Sequence, residues 1–224
     1  MGVSIQINAS KRFQNNVIAN EVITYYLSSN RDLNVSVKFT PVKEHFKKIS
    51  TIPRLGLSFE LECFGDSANK SNKGIRYCGR GPHENYIDRN SSALHGVYDY
   101  EFADHYIVPS ECGNRTDVRW VSLSDSFMIG KKDGGQFQFS ANAASQIAID
   151  KALHTSDIPT DSNRIHYNFD HKQMGVGGDC SWFPCVYDEF KLDPSVPYEF
   201  EFVIRPINAL SEMFIDSEES SAFA

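Results

Sequence analysis

RLGLSFELE, residues 54–62, sets Leu55, Leu57, Phe59 and Leu61 at every second position, with Gly56, Ser58, Glu60 and Glu62 between them. A repeat of two is that of a β-strand with one face in a core and the other towards water or a second layer. The same period recurs on both sides of this stretch. It appears in VSIQIN (Val3, Ile5, Ile7), NVSVKFT (Val35, Val37, Phe39), QFQFSA (Phe137, Phe139), IHYNFD (Ile165, Tyr167, Phe169) and YEFEFVI (Tyr198, Phe200, Phe202, Ile204). Helical periodicity is scarce. ASQIAIDKALH, residues 144–154, fits a short helix or an extended strand equally well. Many alternating strands, turn clusters such as KKDGG and almost no helix predict an all-β antiparallel sandwich.

The chain has 224 residues, enough for a core that needs no disulfide or metal staples. With 16 Phe and 10 Tyr it is rich in the aromatics that suit pleated, half-buried surfaces. A net charge of -7 argues against a nucleic-acid partner, which would call for a basic patch. There is no apolar run long enough to cross a bilayer, so no membrane partner is expected. The opening MGVSIQINASKRF has no apolar signal-peptide region. Five scattered cysteines read as reduced thiols of a cytosol-like compartment, serving as small packing residues. Cys180 and Cys185 form the one close pair, and no second pair completes a zinc site.

Three blocks depart from the strand pattern: GRGPHENYIDR (79–89), VPSECGNRTDVRW (108–120) and KQMGVGGDCSWFP (172–184). The first two lie in a long irregular stretch from Gly79 to Arg119 that is expected to be functional or to dock on something. Their interleaved Glu84, Asp88, Arg89, Glu111, Arg115, Asp117 and Arg119 predict bidentate ion pairs that pin loops. Glu84 and Glu111 could form a glycosidase acid and nucleophile pair. The arginines beside each suit paired carboxylates better than a protonated general acid. His83, His105, His154, His166 and His171 lack metal-binding spacing and read as hydrogen-bonded loop residues.

The third block leads through Gly175, Gly177 and Gly178 to Trp182, with Pro184 after it. Either Trp182 anchors a core, or it is a platform for the apolar face of a sugar. Half of an aromatic surface of 150–250 Å² would contribute roughly 2–3 kcal/mol to such stacking. Asp179 could accept hydrogen bonds within the loop or from a sugar hydroxyl.

Taken in order, these blocks resemble the C-terminal domain of the large bacterial β-galactosidases of glycoside hydrolase family 2, which also occurs as a separate small chain. The resemblance runs from about Val3 to Arg205. It implies the β-supersandwich fold shared with galactose mutarotases, over residues 1–208, with 209–224 as a polar tail. It implies retaining hydrolysis of terminal β-galactosides such as lactose, with transglycosylation as a side reaction. Both catalytic glutamates then lie in a separate (β/α)8 barrel, so this chain holds no catalytic residue and is expected to be inactive alone. By the same resemblance Trp182 reaches into the barrel's active site and stacks on the aglycone side. Asp179, Ser181, His83, Glu84, Asn85, Asp88, Arg89, Glu111, Asn114, Arg115 and Arg119 are expected to organise the supporting loops.

The implied partners are a galactoside, or galactose and glucose, and the catalytic barrel or large subunit; association into a homo-oligomer and a bacterial cytoplasmic location are also expected. No cofactor or metal is expected in this chain, because the Mg and Na sites of family enzymes lie mostly outside this region. Two departures stand out. Cys180 occupies a position where relatives usually carry Asp or Asn. An RAPxDND-like segment that ordinarily opens the domain is absent, which would leave the supersandwich incomplete at its N-terminal side, with unpaired edges. The alternatives from other classes are a stand-alone carbohydrate-binding module and a mutarotase-like sugar epimerase.

Overall fold

A computed structural model describes residues 2–46, 49–62, 74–100, 107–123, 126–159, 164–180, 182–183 and 185–207. Ser181, Pro184 and the tail 209–224 lie outside the described residues. Twelve strands form among them: β1 Val3–Phe13, β2 Asn16–Leu27, β3 Leu33–Pro41, β4 Arg54–Glu62, β5 Ile75–Gly81, β6 Leu94–Asp99, β7 Arg115–Val118, β8 Trp120–Leu123, β9 Phe127–Lys131, β10 Phe137–Asn142, β11 Arg164–Gln173 and β12 Tyr198–Pro206. The described helices are short: α1 Lys43–Phe46, α2 Gln146–Lys151 and two single 3₁₀ turns.

The strands pair antiparallel in two sheets, one of eight in the order β1-β2-β3-β12-β9-β8-β5-β6 and one of four in the order β4-β11-β10-β7. This is the all-β sandwich that the alternation predicted, and it is consistent with the supersandwich. The alternating side chains of β4 and β11 meet across their register, Phe59 opposite Tyr167 and Leu57 opposite Phe169. Phe59 stacks on Phe169 with ring centroids 5.2 Å apart. Phe137 of the short sheet meets Phe202 of the long one edge-on at 5.4 Å. Phe202 is fully buried, a gain of roughly 2–3 kcal/mol for a side chain of this size.

Three expectations need correction. VSIQIN forms β1, but Val3, Ile5 and Ile7 are exposed instead of lying in a core (64%, 59% and 45%). The cause is the mismatch of the sheets: the long sheet runs on past β4, the edge of the short one, so no described strand covers β1. The stretch from Gly79 to Arg119 is not one irregular loop, because β6 and β7 lie within it. Their side chains are mixed, and pairing with β5 and β10 makes them strands. The cysteines divide by place: Cys78 and Cys112 are buried packing thiols, whereas Cys180 and Cys185 are exposed in the third block.

The ambiguous window resolves as α2. The Ser145 hydroxyl accepts from the Ala148 N–H at 3.2 Å and caps its N-terminus. Helical spacing then buries Ile149 and leaves Ile147 exposed, which one strand face could not do. In β10 every residue is buried, Gln138, Ser140 and Asn142 included. At least two of these polar side chains are bonded to neighbours, Ser140 by the Asn168 amide at 3.1 Å and Gln138 by the loops described next.

Candidate functional site

The first block leaves β5 through the cis Gly81–Pro82 peptide. It then folds on itself, with Tyr86 and Arg89 exchanging backbone bonds of 3.2 and 2.8 Å. Asn85 is fully buried and fully used. Its amide donates to the carbonyls of Arg80 (3.1 Å) and His83 (3.0 Å). Its side-chain oxygen accepts from the N–H of Thr116 (3.0 Å) and from that residue's hydroxyl (2.5 Å). Its backbone N–H donates to Asn114 (2.9 Å), and the Asn114 amide answers to the Asn85 carbonyl (3.1 Å) and to Gln138 (2.8 Å). These two asparagines clasp the first block to the second and to β10. An amide supplies both donors and acceptors to buried backbone without the cost of burying charge.

Ion pairs share the pinning, as the sequence predicts: Arg80 of the first block pairs with Asp117 of the second and donates to the Ala93 carbonyl at 2.9 Å. Glu84 accepts from the Gly113 N–H at 2.7 Å and lies 3.6 Å from Arg89, whose side chain is mostly exposed and sits over the Tyr86 ring. Arg115 is buried, held by the Tyr77 hydroxyl (3.1 Å) and the carbonyls of Gly113 and Asn114, over the face of Tyr100 at 4.9 Å. Burial pushes the Tyr77 and Tyr100 phenols up, against the opposing pull of Arg115, so both stay neutral. His83 contacts the Ser92 hydroxyl at 3.2 Å. Arg119 stands apart between β7 and β8, where its N–H donates to the Cys78 carbonyl.

A bidentate pair the sequence did not single out joins Arg54 on β4 to Asp170 on β11, Nε to Oδ1 at 3.3 Å and Nη2 to Oδ2 at 2.5 Å. Arg54 also donates to Gln146 (3.2 Å) and lies 3.5 Å from Glu111; the Gln146 amide in turn donates to Glu111 at 3.2 Å. This network ties the second block to the short sheet and to α2. Glu84 and Glu111 are both anchors of loops here.

The third block leaves β11 as an arm, and its root is held by the first block. Asp88 accepts from the Gly177 N–H at 2.7 Å. Gly175 donates to the Phe190 carbonyl (2.9 Å) and lies so close to the Asp88 carboxylate that a β-carbon would have no room. Gly177 has φ +69°, and a β-carbon there would strike the Cys185 carbonyl. These are the close approaches that two of the three glycines permit. At the tip Trp182 is 86% exposed and Phe183 72%, with the Trp182 N–H 3.5 Å from Cys180 Sγ. Trp182 is thus no core anchor; that place is taken by Trp120, at 6%. Asp179 is exposed, and its hydrogen bond with Tyr187 holds that phenol above its usual pKa.

The structure thus brings Glu84, Asn85, Asp88, Arg89, Glu111, Asn114 and Arg115 together behind the arm and leaves Trp182 and Asp179 on it. Beside the root lies a cleft of about 460 Å³ walled by Arg54, Arg89, Glu111 and Gln173.

The model of a family described as "Beta galactosidase small chain" matches residues 2–204. The β-galactosidase of Photobacterium profundum is 31% identical over 91% of this chain, and that of Priestia megaterium 30% over 86%. That of Alteromonas mediterranea is 36% identical over 63%. The chain covers 19%, 18% and 13% of these proteins, about a fifth of their length or less.

Proposed function

We propose, from the premise that this chain belongs to the β-galactosidase small-chain family, that it completes the galactoside site of a larger enzyme by lending it Trp182. The observation that carries this reading is the contrast between root and tip of the arm. The root is bonded to Asp88 and Phe190, while an aromatic ring at the tip is 86% exposed. Leaving such a ring in water is unfavourable unless something covers it. A sugar in a pocket built by another part of the enzyme is the occupant that suits a flat ring face.

The hydrolytic step then belongs to carboxylates outside this chain. Glu84 and Glu111 are committed to a backbone N–H and to the Arg54 network, and neither contributes to bond cleavage. Within the whole enzyme Trp182 stacks on the aglycone of a terminal β-galactoside and also positions the acceptor in transglycosylation. The open flank at β1, β2 and β4, with its uncovered Val3, Ile5 and Ile7, is a second surface suited to cover by the rest of the enzyme or by another copy.

The test compares the isolated chain with the chain combined with the catalytic part. Chromogenic galactoside turnover is expected only from the combination. Turnover by the rigorously purified chain alone would overturn the reading.

A further inference from the structure

The arm carries two thiols that the stacking proposed for Trp182 does not use. Of the four described cysteines, Cys78 and Cys112 are buried, while Cys180 and Cys185 are exposed on either side of Trp182 and Phe183. Buried thiols are inert packing groups; exposed thiols are open to exchange chemistry.

The fold holds the two ends of this segment together. Gly177 packs directly against the Cys185 carbonyl, so the chain returns to its own root after passing the tip. Two residues further along each leg, Asp179 bonds to the Tyr187 phenol, and Cys185 lies near enough to that phenol to help raise its pKa. Cys180 follows Asp179 directly, so both cysteines belong to this one junction. The Cys180 sulfur accepts from the Trp182 N–H at 3.5 Å, which turns it into the segment between the cysteines. A disulfide needs two Cα atoms within about 7 Å. Gly178, at φ +108° with nothing within 4 Å of where a β-carbon would stand, leaves room for the turn that brings them there. Two thiols are too few for a closed metal site, and no described group of three His, Cys, Asp or Glu residues is arranged to hold a metal ion.

We propose that Cys180 and Cys185 are a redox modification site, a dithiol that exchanges with low-molecular-weight disulfides and closes into an intrachain disulfide. One cysteine, as its thiolate, attacks a sulfur of the small disulfide, breaks that S–S bond and releases one small thiolate. The other cysteine, deprotonated in turn, attacks the protein sulfur of the mixed disulfide and releases the second. One S–S bond forms for the one lost, and the two protein thiol protons end on the two released thiols. The ring so closed contains Trp182 and Phe183, so the shape of the tip follows the redox state. The site itself does not depend on the role proposed for Trp182.

The test treats the full chain with oxidised glutathione, followed by alkylation and peptide mapping by mass spectrometry. Cys63, outside the described residues, is first removed as Cys63→Ser so that it cannot compete. Cys180 and Cys185 should be found joined within one chain, while Cys78 and Cys112 should react only after unfolding. Cys180→Ser and Cys185→Ser should each stop at a mixed disulfide on the remaining thiol. That adduct should be at least tenfold less abundant in the intact pair, because the second thiol attacks at the high effective concentration of a short tether. At a fixed ratio of oxidised to reduced glutathione, closure should be several-fold more favourable in the folded chain than in urea, since the fold holds the ends together. The proposal is overturned if the intact pair stops at mixed disulfides, if the disulfide joins different chains, if neither thiol reacts, or if closure is as favourable in urea as in the folded chain.

Discussion

Replacing Asp88 by alanine tests whether the first block really holds the arm. The bond it removes, from the Gly177 N–H to a carboxylate at 2.7 Å, is charge-assisted and therefore among the stronger kind, worth roughly 1.5–3 kcal/mol. Part of that loss is offset, because Asp88 Oδ1 is buried without a partner and its removal relieves a cost of similar kind. A net loss of about 1–2 kcal/mol is expected, which opens the arm roughly five- to thirtyfold more often. The loss should be local. Asp88 is absent from the main hydrophobic core, and the clasp made by Asn85 and Asn114 does not pass through it. Amide hydrogen exchange reads both scales at once. The Gly177 amide should exchange faster by that factor, while amides of β12 around the buried Phe202 should not change. An unaltered Gly177 rate in Asp88→Ala would refute the anchoring role, and equal acceleration in β12 would refute its locality.

Three further outcomes are expected. Asn85→Ala strips bonds from the Thr116 N–H and hydroxyl and from the carbonyls of Arg80 and His83, and should cost about 3 kcal/mol in urea unfolding, against less than 1 if the clasp is dispensable. Trp182→Ala should leave the chain's stability within about 0.5 kcal/mol, because the ring is exposed. In the combined enzyme it should harm aglycone affinity and transglycosylation more than cleavage of an activated galactoside, and equal loss in both would contradict stacking. His171 concerns pH. Burial, with Lys131 and Lys172 adding to it against Asp133, lowers its pKa from 6.5 to about 4. The folded state therefore holds fewer protons than the unfolded one between these values, so stability is whole above pH 6.5 and falls as pH drops towards 4. The loss at pH 5 is at most about 2 kcal/mol, reduced by solvent screening because the ring is only partly buried. Urea midpoints at pH 7 and pH 5 should show it, and His171→Phe, which keeps the stack on Phe200 at 5.0 Å, should flatten the difference.

The parts of the site that were legible from the sequence were those carried by local chemistry. Glycines bunched before a tryptophan announce a shaped loop that ends in Trp182, and the charge of Asp88 beside turn formers marks it as a loop anchor, whereas Asn85 and Asn114 stand out only through the family resemblance. The bonds between blocks were not legible. Asp88 and Gly177 are 89 residues apart, and Arg54 and Asp170 are 116 apart. No spacing rule connects such positions; only strand pairing, which places β4 beside β11, brings the latter two together.

The alternation of apolar residues determined that this chain forms strands, since a period of two can bury a continuous face only in extended backbone. It did not determine which faces are covered. VSIQIN and QFQFSA carry the same pattern, yet β1 lies almost wholly in water and β10 is buried on both sides. That difference belongs to the tertiary structure: a four-stranded sheet cannot cover an eight-stranded one, and the folded blocks lie over the centre of the short sheet and leave its edge bare.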